Sequence, residues 1–428
     1  MENRYKINHL DVKRKLKILS EFIDDSKVGY TRRPFTKWNM ECRDWLINEM
    51  KSLNLEVEID ASSNIIGTLK GIDSNLPPIM IGSHTDSVVG GGMFDGQIGV
   101  IAGLEIVSYL KQNNFSLLHS LKIVDFTAEE ASEFGISTIG SRGMVGNLTK
   151  NELNRKGPDG KSLKEGMKSI GGNPEKIKEQ ALKEGDISLF LELHIEQGPL
   201  LEKSKKDFGI VTGFVGIRRY RIEVIGQPNH AGTTPMSHRK DALTAASEIV
   251  LAIEEICNQD YDASVVGTVG RLNVEPNGPN IVPGSVCFDV EIRSIHDKTL
   301  DRISHKINQK SAEVKKKRGI EISLENISAV KPIKIDDAII EGLEMSACKV
   351  GNTLRLSSGA GHDGVQISKI APVGMIFVPS KDGKSHCPEE WTDYEQVALG
   401  IRALLNSVFY FDDNIEKLLE RRKGIEDY

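Results

Sequence analysis

One stretch of this chain limits its fold more than any other: Ile81-Gly-Ser-His84-Thr-Asp86-Ser-Val-Val-Gly-Gly-Gly-Met-Phe-Asp95-Gly96. It continues the apolar run Pro78-Ile-Met-Ile81, whose composition fits a buried strand. His84 and Asp86 leave the strand end, and Asp95 arrives after a glycine-rich turn. Open α/β sheets gather their ligands at the carboxyl edge of parallel strands, so this pattern points to such a sheet with a site at that edge.

Three further apolar runs end the same way. Leu121-Lys-Ile-Val-Asp-Phe126 is followed by Thr127-Ala-Glu129-Glu130, and Leu189-Phe-Leu-Glu-Leu193 by His194-Ile-Glu196-Gln197-Gly198. Val373-Gly-Met-Ile-Phe-Val378 is followed by Lys384-Ser-His386. A lone histidine is usually a surface or core-filling residue, and His238 and His296, in charged turn-like sequence, are read that way. Four segments bearing acids or imidazoles, each behind a strand-like run, are better read as one metal site. Imidazole and carboxylate without thiolate suit Zn or Mn, and accommodate Co or Ni.

A pair of divalent ions needs a bridging carboxylate, end ligands on each side and a base beside the water. Asp95 is the natural bridge. His84 and His194 would serve one ion, and Glu130 and His386 the other. Asp86 is expected to accept the His84 imidazole N–H and fix its tautomer. Glu129 is left for the water, first as general base and then as acid.

Helical spacing covers about 12–53, with an interruption near Arg33-Pro34, and again 99–110, where Gly99, Ala102 and Gly103 would let a helix pack closely on the sheet. Strand and helix alternate to about 195, the mark of a mostly parallel sheet flanked by helices. Residues 148–185, rich in Lys, Glu and Gly, read as solvated helices and loops rather than core. From Gly213 the order becomes strand, helix, strand, strand, helix, strand, an inserted ferredoxin-like α+β domain. The expected division is a catalytic domain of 1–213 and 331–428 around an insert of 214–330.

Lys+Arg total 55 against Asp+Glu 61, a net charge of -6, which argues against a nucleic-acid or membrane-surface partner. The 5 Cys are scattered without a Cys-x-x-Cys pair, as in a reducing cytoplasm. The start, Met1-Glu-Asn-Arg-Tyr-Lys-Ile-Asn, lacks the apolar core of a signal peptide.

These motifs, together with Asn229-His-Ala-Gly-Thr-Thr-Pro-Met236, Gly359-Ala-Gly-His-Asp363 and Ser385-His386, resemble the hydantoinase/carbamoylase family of amidases, from about residue 80 to 390 and in order. The resemblance implies a dinuclear hydrolase cleaving a carbamoyl (ureido) C–N bond, with two divalent metal ions per subunit. It also implies a catalytic domain plus a dimerisation or lid domain, and a homodimer. It puts His84, Asp95, Glu130, His194 and His386 on metal-ligand positions and Glu129 on the general base. It puts Gln197, His230, Asn280, Arg293, Gly361 and His362 on substrate-contacting positions. Chemistry supports several of these: the guanidinium fork of Arg293 suits a carboxylate, and His230 on its turn suits a developing oxyanion. Catalysis with substrate residues on one domain and ligands on the other is expected to need closure.

The family divides among N-carbamoyl-L-amino acids, β-ureidopropionate and allantoate. Val215-Gly-Ile-Arg218-Arg219-Tyr220 resembles the allantoate-cleaving members, which carry paired Arg followed by Tyr, and Arg219 would line the pocket for a second ureido arm. The expected substrate is therefore allantoate, ahead of an N-carbamoyl-L-amino acid. An aminoacylase or peptidase of the same superfamily is the more distant alternative, and a metal-binding protein without activity has no need of Glu129.

Overall fold

The computed structural model describes residues 6–262 and 264–426, with side chains to 420, so the first five residues of the amino-terminal stretch discussed above lie outside the described residues. The chain forms two compact units. The first holds the residues up to Thr212, Ile335–Leu356 and those from His362 onward; the second holds Gly213–Lys334 and Ser357–Gly361. The short Ser357–Gly361 stretch thus goes with the second unit, taking Gly361 with it, whereas the sequence pattern marks one return near residue 331.

In chain order the strands are β1 (Glu56–Ile59), β2 (Ile65–Leu69), β3 (Ile79–His84), β4 (Leu121–Phe126), β5 (Leu189–Ile195) and β6 (Phe208–Phe214). They continue as β7 (Gly216–Ile225), β8 (Asn229–His230), β9 (Val266–Glu275), β10 (Ile281–Val282) and β11 (Ser285–Ser294). The last are β12 (Glu321–Val330), β13 (Ile333–Lys334), β14 (Thr353–Ser358) and β15 (Val373–Val378).

The large sheet runs β1-β2-β4-β3-β5-β15-β6, and the tail of β6 pairs β13 where the chain passes into the second unit. Its central strands β4, β3, β5 and β15 are mutually parallel, while β1, β2 and β6 are antiparallel additions. Strands β3, β5 and β15 are buried along their whole length, which is why they read as continuous rather than alternating apolar runs. These four parallel neighbours are the strands whose ends carry the acids and imidazoles singled out in the sequence.

Helix Gln97–Gln112 lies on this sheet. A Cβ on Gly99 would fall 2.6 Å from Ser83 Cβ, and one on Gly103 2.6 Å from Ile123 Cγ2, so both positions admit only hydrogen. The 148–185 region departs from expectation. It is built of short helices, but Leu148, Leu163, Met167 and Ile177 join Ala61, Ala128 and Ile139 in a small core of their own. Leu163 and Met167 come from one short helix opened by the Ser162–Glu165 capping box, Ile177 from another, and Leu148 from the segment before a third.

In the second unit an antiparallel sheet of order β12-β7-β11-β9 carries helices Ala242–Asn258 and Asp297–Arg318. Strand β11 alternates strictly, sending Val286, Phe288, Val290 and Ile292 into the core with Ile222, Val224, Ile249 and Ile303. This is the ferredoxin-like βαββαβ arrangement.

Candidate metal centre

The carboxyl ends of the four parallel strands deliver five side chains to one place. Asp95 lies at its middle. His194 Nε2 is 3.1 Å from Asp95 Oδ1, and His84 Nε2 is 4.0 Å from the same oxygen. On the other side His386 Nε2 is 3.2 Å from Asp95 Oδ2 and 3.2 Å from Glu130 Oε1. Two ligand groups result, His84–Asp95–His194 and Asp95–Glu130–His386, sharing Asp95. Glu129 Oε2 lies 3.7 Å from His84 Nε2, beside the first group.

The imidazoles are set for ligation. His84 Nδ1–H donates to the Asp86 carbonyl at 3.0 Å, and His194 Nδ1–H donates to the Ile195 carbonyl at 3.0 Å. Each ring therefore turns its Nε2 toward Asp95, the atom that would ligate an ion once its proton is displaced. Gly96, at φ +71°, closes the turn after Asp95, and a Cβ there would strike the His84 ring at 2.4 Å.

Asp86 corrects an expectation. Its backbone carbonyl, not its carboxylate, orients His84; the carboxylate Oδ1 stands 3.7 Å from the ring. The carboxylate instead accepts the Glu129 N–H at 3.0 Å and the Glu130 N–H at 3.2 Å. A backbone carbonyl can fold back onto the ring two residues away, which frees the Asp86 side chain to hold the base and ligand loop.

The electrostatics are those of a cation site. Burial alone would lower the His84 imidazole, but Glu129, Asp86 and Asp95 outweigh it and hold His84 well above its ordinary value. Hydrogen bonds to Asp95 and Glu130 raise His386 to about 10. Burial would raise Asp95, but His194 and His386 hold it well below the usual carboxylate range. Protons on the imidazoles thus balance the acids, and divalent ions fit by replacing those protons, since neutral imidazole is the ligating form. Glu129 is pushed well above its ordinary value by burial, and Asp363 and Glu130 add to that against the opposing pull of His84.

The remaining candidates fall in two groups. In the first unit, Gln197 Nε2 donates to Asp95 Oδ2 at 2.9 Å and to Ser385 Oγ at 3.3 Å, so it touches the bridging acid directly. His362 is buried with its ring 4.4 Å from that of His194, and burial followed by the charge of His194 holds it well below its ordinary value. In the second unit, β8 pairs β10, and Ala231 N–H donates to the Asn280 carbonyl at 2.9 Å, joining the His230 and Asn280 turns. Gly232 N–H donates to His230 Nδ1 at 3.0 Å, which leaves the proton of a neutral ring on Nε2.

Arg218 and Arg219 face opposite sides of β7. Arg218 is buried on Asp297 and Asp301 of the helix beneath. Arg219 is on the open face, its Nε 2.5 Å from Glu291 Oε2 across the strand pair. The other oxygen of Glu291 holds Arg293 Nε at 2.7 Å, and Arg293 Nη1 donates to the Gly359 carbonyl at 2.5 Å. Arg293 Nη2 also lies 2.6 Å from that Glu291 oxygen, so Arg293 forms a salt bridge with Glu291 and keeps two of its five guanidinium N–H groups outside these contacts.

Sequence reasoning passed over Glu192, Asp363 and Glu390. Glu192 accepts the Ser83 hydroxyl at 2.6 Å inside β5 and groups with His194 and His362. Its signal was visible: a charged residue in the middle of an otherwise apolar strand. Asp363 accepts the Ser141 hydroxyl at 2.5 Å in full burial. Glu390 had no signal to set it apart from Glu389.

The profile of peptidase family M20/M25/M40 matches residues 80–409. The N-carbamoyl-L-amino acid amidohydrolase of Geobacillus stearothermophilus is 37% identical over 382 residues, which cover 89% of this chain and 93% of that one. The allantoate amidohydrolase of Bacillus subtilis is 34% identical over 393 residues, covering 91% and 95%. Among solved structures, a hydantoinase/carbamoylase family amidase from Burkholderia multivorans matches with a TM-score of 0.89 at 32% identity, over 95% of this chain and 98% of that one.

Proposed function

The chain belongs to peptidase family M20/M25/M40, and from that premise we propose that it is a metal-dependent amidohydrolase cleaving the carbamoyl C–N bond of a small ureido acid, allantoate first. The observation that carries the hydrolase reading is the shared Asp95, with His84 and His194 on one side, Glu130 and His386 on the other, and buried Glu129 alongside.

Two divalent ions per chain, zinc or manganese with cobalt or nickel as alternatives, supply Lewis acidity for the ureido carbonyl and for water. Glu129 takes the proton of the attacking water and returns it to the departing nitrogen. Its carboxylate, buried and 3.7 Å from His84 Nε2, stands beside the first ligand group, where such a base is needed. His230, with its proton on Nε2, is assigned to the oxyanion, and Arg293 to the substrate carboxylate, with Asn280, Gln197, Gly361 and His362 as further contacts. These roles rest on the chemistry of each group and on the resemblance of its motif to those of the amidase family. The products are ammonia, carbon dioxide and the amine left by the carbamoyl group.

Allantoate is favoured by the Arg219–Glu291–Arg293 row. Glu291 neutralises one of the two cations, and the surplus positive charge suits a single carboxylate. Arg219 keeps N–H groups beyond its Glu291 bond, which suit the neutral carbonyl of a second ureido arm. A carbamoyl amino acid has no such arm. It stays as the second reading because the Geobacillus relative is 37% identical. Ammonia release from allantoate and from a panel of N-carbamoyl amino acids, on metal-reconstituted protein, decides between them. Turnover of carbamoyl amino acids alone would overturn the allantoate assignment.

A homodimer in a reducing cytoplasm completes the proposal. Exposed Val266 and Leu272 on edge strand β9, five unpaired cysteines and the lack of any described helix long and apolar enough to cross a membrane are consistent with it. Sedimentation at the mass of a single chain would remove the dimer.

A further inference from the structure

We propose that Glu390 is a positioning residue that sets the affinity of the Asp95–Glu130–His386 half of the centre for its cation. The inference rests on the two-ion reading above. Glu390 is 3% exposed, and its Oε1 accepts the backbone N–H of Phe94 at 3.0 Å and of Asp95 at 3.1 Å. Its Oε2 accepts the Ser385 hydroxyl at 2.9 Å. One carboxylate therefore ties the turn that presents the bridging acid to the loop that presents His386. A Cβ on Gly92 would sit 2.2 Å from Glu390 Oε1, so the turn approaches this carboxylate too closely for any side chain there.

The two halves of the centre differ in what holds them. His84 and His194 lie in buried strands, 2% and 0% exposed, with Nδ1 fixed on backbone carbonyls. The His386 side chain is 50% exposed, and its backbone is in the left-handed region at φ +56°. Core packing fixes the first pair, whereas loop hydrogen bonds must fix His386. Ser385 is the link: its Oγ lies 2.9 Å from Glu390 and 3.2 Å from Asp95 Oδ2, and it accepts from Gln197. Removing Glu390 should free the His386 loop and leave His84 and His194 in place.

The test is zinc titration against a competing chelator, with cobalt absorption spectra, on the full wild-type chain and on Glu390→Gln, Glu390→Ala and Ser385→Ala. The alanine variants should weaken the Asp95–Glu130–His386 site by roughly 10–100-fold, the usual effect of losing a partner behind a ligand, and the other site, which shares Asp95 but keeps its two buried imidazoles, by much less. Glu390→Gln keeps an oxygen for both N–H groups and should recover most of that loss. Ser385→Ala removes only a hydroxyl and decides the matter should Glu390→Ala fail to fold. Both sites within roughly threefold of wild type in every foldable variant, or equal weakening of both, would overturn the role of Glu390. A wild-type chain that takes up no zinc would overturn the two-ion reading, and this proposal with it.

Discussion

Glu129 and Glu130 are adjacent in sequence yet meet different partners: Glu130 lies against His386, while Glu129 faces His84. Asp86 holds both backbone N–H groups, so the two carboxylates diverge from one clamped peptide. Glu129→Gln keeps shape and loses only the ability to carry a proton. It should retain metal stoichiometry, measured by elemental analysis, and lower kcat roughly 10²–10⁴-fold. Wild-type turnover in that variant would remove Glu129 from the proposed reaction. The types and order of these residues were legible in the sequence because each follows a recognisable strand. The direction of each side chain was not, since it depends on loops. Asp86 was expected on an imidazole and instead grips a peptide, whereas the strand period of two that puts Ile222 and Val224 in the core also puts Arg218 on the buried face and Arg219 on the open one.

Single elements carry the site through close packing. Helix Gln97–Gln112 lies on the sheet because Gly99 brings it near Ser83, the residue before ligand His84. Alanine at Gly99 would gain about 1 kcal/mol of helix propensity but force a contact at 2.6 Å against Ser83 Cβ and 2.8 Å against the Leu193 carbonyl. Overpacking of this kind costs roughly 1–3 kcal/mol, so Gly99→Ala should lower the urea midpoint on balance. Small residues in that helix were readable in the sequence; the little core under 148–185 was not, because its members are few and are completed by Ala61, Ala128 and Ile139 from elsewhere in the chain. Another element-level clamp joins His119 to helix Tyr394–Glu426. His119 Nδ1 donates to Asp412 at 3.0 Å and Nε2 to Glu416 at 3.3 Å, which only the imidazolium can do at once. Burial opposes that charge, but hydrogen bonds to Asp412 and Glu416 raise the ring above its ordinary 6.5. The stabilisation is therefore complete below about pH 6.5 and fades as pH rises through the raised value. Relative to His119→Gln, the wild-type chain should gain roughly 1–2 kcal/mol at pH 6 and much less at pH 9, measured by denaturant unfolding. An advantage that grows with pH would refute the clamp.

Across the whole molecule, every proposed metal ligand belongs to the first unit, while the second has a continuous apolar core centred on Phe288 and Ile249. Ions that bind only the folded first unit stabilise it by mass action, about 2.7 kcal/mol at a free concentration of 100 times Kd. Without them, acids and imidazoles at the sheet edge are left to hold protons in burial, and the loops they anchor lose their partners. Chelation should therefore raise hydrogen exchange in 84–96, 127–130, 194–197 and 385–390. It should leave strands β7 and β11 of the second unit protected, since no ligand depends on them. It should also abolish ammonia release, with recovery on adding zinc or manganese. Both the two-unit plan and the strand ends that carry the ligands were visible as changes of periodicity along the chain, whereas the pairing order β4-β3-β5-β15 was not, because parallel neighbours are chosen by crossover packing rather than by local pattern. That order brings His84, Glu130, His194 and His386 to a single edge, so exchange should rise in all four loops together on metal loss. A rise confined to one loop would mean that the ions, if bound, are not shared through Asp95.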